Sequence, residues 1–212
     1  MASSDERTSR ISPRSNRLPP RGDPIFQHGQ RFPGVNASHY SVRERLRDGR
    51  QVEIRALHRA DLPALRESAK RMSPETIYRR FFAPKRSFTE KEIDFYLNID
   101  FTSHVALVAV LDESGRPQIL GGGRYIGSGP GRAEVAFAVD DPHQGLGIAT
   151  CLMRHLVGIA RANDVGQLTA EVLAENAPML KVFERCGLAA STRREGGVVH
   201  ITLDLGKEAM TS

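Results

Sequence analysis

The chain has 212 residues, with 30 Lys and Arg against 25 Asp and Glu, a net charge of +5 and a pI near 9.5. Forty per cent hydrophobic residues suffice for the core of one domain. The longest apolar run falls short of the ~20 residues of a membrane-spanning helix, which excludes an integral helical membrane protein.

The first 38 residues differ from the rest: they hold five of the 12 prolines, six arginines and three acids, with apolar residues in no period. Such a segment buries too little apolar surface to offset its ordering entropy, so 1–38 is expected to be a disordered Pro/Arg-rich tail. It carries +3, while the other 24 bases and 22 acids leave only +2. The basic balance invites a polyanion partner, but its excess sits in the tail, and no specific nucleic-acid partner is expected. No apolar stretch before residue 40 resembles a secretory signal, so Asn36-Ala37-Ser38 carries no glycosylation meaning and the expected location is cytoplasmic. Cys151 and Cys186 form neither a disulfide framework nor a metal spacing, and no metal is expected.

After a lead-in at 39–50, Gln51 to Ala56 alternates with period 2, a first strand. Arg59 to Arg71 places Leu62, Leu65 and Ala69 on one helical face. Ser73-Pro74-Glu75 opens a helix, and Thr89 to Glu92 forms a capping box before Ile93. Two or three short helices are therefore expected here, with Phe81 and Phe82 in the core. Strands follow at His104–Leu111, Gln118–Ile126 and Arg132–Val139, joined by short turns and so antiparallel. A 3.6 period from about Gly145 to Asn163 marks a long helix, Gln167–Leu173 another strand, and Asn176 caps a helix ended by Gly187. Val198–Leu205 pairs with 188–192. The expected fold is α/β, a mixed sheet of order β-α-α-β-β-β-α-β-α-β-β over 51–205, with a short tail at 206–212.

The stretch Asp140-Asp141-Pro142-His143-Gln144-Gly145-Leu146-Gly147-Ile148-Ala149 joins a strand to the long helix. Small residues let backbone amides approach a ligand, and the unpaired amides of a helix N-terminus favour an anion. A glycine turn before a helix is equally a plain tight connection. The dinucleotide fingerprint and the P-loop do not fit.

In this context the chain resembles the GNAT superfamily of N-acetyltransferases. Its pyrophosphate loop, Gln/Arg-x-x-Gly-x-Gly/Ala, matches Gln144 to Ala149, and the segment Asn176 to Gly187-Leu188 matches a later family helix. Ser73-Pro74-Glu75-Thr76-Ile77-Tyr78-Arg79-Arg80-Phe81-Phe82, Arg132 to Phe137 and Glu171 to Asn176 are similar to the Pat-type bacterial protein lysine acetyltransferases.

The resemblance implies acetyl-CoA as co-substrate and an amine acceptor: a protein lysine, with a small amine or a non-catalytic acetyl-CoA sensor as alternatives. It implies Glu134 as the catalytic base. It implies strand-end contacts from Phe137, Ala138 and Val139, a pyrophosphate loop of Gln144, Gly145, Leu146, Gly147, Ile148, Ala149 and Thr150, and further cofactor contacts from Asn176, Met179, Leu180 and Phe183. Asn176 also reads as a plain helix cap. Phe183 stands where many members carry a Tyr that protonates the leaving thiolate. Tyr78, Arg79 and Arg80 are candidates for the acceptor side, and an oligomer is compatible with the sequence.

Overall fold

The computed structural model describes residues 37–206 apart from Arg86 and Ser114. Most of the expected tail and residues 207–212 lie outside the described residues.

In chain order the described elements are β1 (Ser41–Arg45), β2 (Gln51–Ala56), α1 (Leu62–Lys70), α2 (Pro74–Phe81), α3 (Glu90–Leu97), β3 (His104–Glu113), β4 (Arg116–Gly129) and β5 (Arg132–Val139). Then come α4 (Ile148–Ala162), β6 (Gln167–Leu173), α5 (Ala177–Glu184), β7 (Ala189–Glu195) and β8 (Val198–Asp204). They form an eight-stranded sheet of order β1-β2-β3-β4-β5-β6-β8-β7, parallel only between β5 and β6.

The folded part starts earlier than expected. Ala37–His39 form a 3-10 turn, and Ala37 and Tyr40 are buried. The lead-in 39–50 contains β1, antiparallel to β2 with Ser41 opposite Arg55. Ser-Val-Arg-Glu-Arg is nearly all exposed and shows no apolar alternation, so its strand character comes from pairing with β2.

Local chemistry starts the helices where expected. Ser73 Oγ accepts from Thr76 N at 3.2 Å, and Thr89 and Glu92 close a capping box. The long helix α4 begins at Ile148 rather than Gly145, because Gly147 is left-handed at φ 94° and serves as its cap.

β3 is buried on both faces from Val105 to Leu111, which explains its continuous apolar run. One sheet face packs Leu107, Tyr125, Phe137 and Ile201 against Leu152 and Leu156 of α4. The other packs Val108, Val110 and Ile119 beneath α1 and α3. Phe81 and Phe82 do not join either core. Both are half-buried, and Phe81 stacks edge-on with Phe88 at 5.2 Å and Tyr96 at 6.3 Å. Cys186 is buried and Cys151 half-buried; both are unpaired, and burial pushes both thiols up.

Candidate active site

β5 and β6 pair at only three positions: Arg132 with Gln167, Ala133 with Leu168 and Glu134 with Thr169. Beyond Glu134 the strands part, and a cleft of 370 Å³ opens between Val135–Val139 and Ala170–Val172. The edge of β5 facing it lacks a strand partner in the middle of the sheet, a template for an extended chain with amide groups.

The floor of the cleft is the junction to α4. Gly145 and Gly147 take positive φ of 78° and 94°, which a side chain would strain. The amides of Ile148, Ala149 and Thr150 open the helix before Cys151 N makes the first turn bond to Gly147 O at 3.0 Å. This is a helix N-terminus with orphan donors aimed at the cleft's lower end, suited to phosphate. Gln144 Nε2 donates to Thr76 Oγ1 at 3.1 Å and to Val139 O at 3.3 Å, tying the loop to α2 and the β5 end.

Two buttresses hold the loop. Asp140 is fully buried; it accepts from Arg71 Nε at 2.6 Å and lies 2.5 Å from His143 Nδ1. A buried carboxylate persists because both oxygens are partnered. His143 also lines the cleft. The second buttress is the β1–β2 turn: Arg47 N donates to Leu146 O at 3.1 Å and Arg47 Nη1 to Gly145 O at 3.1 Å.

On the α5 side, Asn176 Oδ1 accepts from Met179 N at 3.3 Å, so the capping role is real, and Asn176 also lines the cleft with Met179 and Phe183. Phe183 is buried edge-on against Phe137 at 6.1 Å. Leu146 and Leu180, expected at the cofactor, pack against the apolar core and are not among the cleft's lining residues.

Glu134 sits at the foot of the splay, exposed, rather than in the cleft wall. Its register neighbours Ala133 and Leu168 point into the α4 core, so Glu134 and Thr169 face the opposite side, as does Glu171 two residues on. Two carboxylates therefore flank the splay on one face. Glu171 lines the cleft and pairs with His200 at 3.2 Å. Tyr78 stands 42% exposed on α2, while Arg79 and Arg80 line the cleft.

Sequence reasoning missed Arg47, Glu171, Lys181 and Arg185, all of which line the cleft. Lys181 in α5 and Arg185 just past its end stand four residues apart, a helical spacing that was present as a signal. Arg47 reaches the loop only through tertiary contact and had none.

An open strand edge above a helix N-terminus suits a ligand with an extended amide arm and phosphates. Residues 72–188 match the acetyltransferase (GNAT) family; the chain belongs to this family and is an acyltransferase. An acetyltransferase of Pseudomonas aeruginosa is 34% identical over 149 residues, covering 70% of this chain and 79% of that protein. Acetyltransferase Pat of Mycolicibacterium smegmatis is 30% identical over 162 residues, 76% of this chain and 47% of its own length, so the match spans about half of that relative. Among solved structures, the GNAT domain of S. lividans PAT matches with a TM-score of 0.70 at 33% identity, covering 77% of this chain and 96% of that one.

Proposed function

We propose that the protein transfers the acetyl group of acetyl-CoA to a protein lysine ε-amine by direct attack, with Glu134 as general base. The splay beyond Glu134 and Thr169 carries this reading, because it leaves one β5 edge open directly above the α4 amides. The pantetheine arm pairs with Phe137, Ala138 and Val139 as an added strand, and the pyrophosphate rests on the amides of Gln144 to Thr150. An amide near Val139 polarises the thioester carbonyl.

A free lysine, with a pKa of ~10.4, is protonated at neutral pH. Glu134 takes one proton from the ammonium, directly or through a water; the freed amine nitrogen then bonds to the carbonyl carbon as the carbon–sulfur bond breaks, and the nitrogen releases its second proton to solvent. Phe183 has no proton to give, so solvent supplies the one taken up by the CoA thiolate. The exposed rings of Tyr78 and Phe95 beside this face support a protein acceptor.

The test is acetyl-CoA consumption with a panel of proteins and small amines, acetyl-lysine being detected by mass spectrometry. In E134Q we expect kcat at pH 7 to fall by about 10²–10⁴-fold with the KM for acetyl-CoA little changed. Near-normal turnover in E134Q with a collapse in E171Q would move the base to Glu171. Saturable CoA binding with no turnover of any amine would leave a sensor.

A further inference from the structure

On the sheet face that carries Glu134 stand two arginines, Arg80 and Arg124, neither of them in an ion pair among the described residues. Arg80 lies in the last turn of α2 and lines the cleft; its ring contact is Phe81, 4.8 Å below the guanidinium. Arg124 in β4 stands opposite Ala136, one step along the face from Glu134, which stands opposite Ile126. Arg124 Nη1 donates to Tyr96 O at 3.1 Å and to His104 Nε2 at 3.2 Å, and its guanidinium carbon lies 4.5 Å from the centre of the Tyr96 ring.

Each of these partners is neutral. His104 Nδ1 donates to Asn98 O at 3.1 Å, which leaves Nε2 as the acceptor. Burial, and then Arg124, hold the His104 pKa below its ordinary value. Among the described residues neither Arg80 nor Arg124 is in an ion pair with Asp or Glu, whereas Arg55, Arg59, Arg71, Arg79 and Arg154 all are.

The two cations also work against each other. Burial pushes Arg124 down to about 10 and Arg80 adds to the shift. Burial lowers Arg80 too, with Tyr96 and Glu134 opposing. Two half-buried cations against one exposed carboxylate leave a positive excess, where a guanidinium fork ordinarily meets a carboxylate.

We propose that Arg80, backed by Arg124, is an anion subsite for the acceptor: the amine acetylated here carries a carboxylate close by, which Arg80 grips while Glu134 faces the amine. The proposal rests on the acetyl-transfer reading above and names the acceptor's chemistry. The carboxylate comes either from an Asp or Glu next to the target lysine in a protein or from a free amino acid. In both cases the cationic and anionic ends of the acceptor meet Glu134 and Arg80 respectively.

One arm of the test needs no turnover. The full chain is titrated with glutarate while the arginine Nε–H signals are followed by NMR. The Arg80 and Arg124 signals shift saturably in the wild type, and the Arg124 shift is lost in R80Q. Absence of any shift at these two residues overturns the proposal even if acetyl transfer proceeds normally.

The second arm compares kcat/KM for paired peptides carrying Asp-Lys or Asn-Lys, and for free lysine. The Asp peptide is expected to lead by about tenfold, the worth of one charge-assisted hydrogen bond. R80Q brings the ratio near one, and R80K, which keeps the charge but loses the fork, falls between. Equal rates in the wild type, or a ratio that survives R80Q, overturn the proposal. Free lysine outrunning both peptides assigns the carboxylate to a small molecule. Glutarate shifts without turnover of any amine would keep the subsite and sink the acetyl-transfer reading.

Discussion

At the scale of single residues, Asp140 anchors the site from below. It is fully enclosed, and its two oxygens meet Arg71 and His143, one reaching from the end of α1 and the other from the loop. Asp140→Ala leaves Arg71 without its carboxylate and is expected to cost about 3–5 kcal/mol, read from urea unfolding. The same variant is expected to raise the KM for acetyl-CoA, because the loop loses a support; an unchanged KM would separate stability from cofactor binding. Gly121 is tight in a different way. A Cβ there would lie 2.7 Å from Ala138 O, in the strand end that faces the cleft. Gly121→Ala must push β5 aside and is expected to destabilise by about 1–3 kcal/mol, with a loss of acetyl-CoA affinity seen by calorimetry.

Elements show what a sequence can carry and what it cannot. The turn from Gln144 to Ala149 was legible as a tight entry to α4 because the positive φ of Gly145 and Gly147 demands small residues beside a helix start, and that demand is written in the residues themselves. Asn176 was legible for the same local reason: a cap acts within three residues. β1 was not, since five largely exposed residues become a strand only by lying against β2. Its cohesion is equally remote from the sequence: Tyr40 Oη lies 2.5 Å from His155 Nδ1, and His155 Nε2 lies 2.9 Å from Glu44 on β1. A chain cut to begin at residue 51, the boundary that periodicity suggests, is therefore expected to unfold or aggregate, while one beginning at 37 keeps a cooperative melt by circular dichroism. The turn leading into β3 adds a pH dependence. Burial would raise the Asp100 carboxyl, but bonds from Ser103 Oγ and the amides of His104 and Thr102 outweigh it and bring it down to about 2. The unfolded aspartate titrates near ~3.9. The native state thus holds fewer protons, and this contribution is complete above pH ~4 and lost as pH falls through about 2. Asp100→Asn is expected to flatten that part of the stability curve; an unaltered curve would mean other carboxylates govern acid unfolding.

For the whole molecule, the sheet is nearly two sheets. Strands β1 to β5 form one run and β6, β8 and β7 another, joined in register at three residue pairs and bridged by α4 and its packing. No composition or period could reveal this, because the site is made by strands failing to pair. A ligand lying in the cleft would touch both runs at once and act as a rivet across the seam. Amide hydrogen exchange offers a direct reading: without ligand, β6 and β8 are expected to open at a lower free energy than β3 and β4, and saturating CoA is expected to bring the two runs level. The seam also gives the protein a direction of mechanical weakness. Pulled across it, the chain should yield first between β5 and β6, and the force needed should rise with the supply of bound CoA.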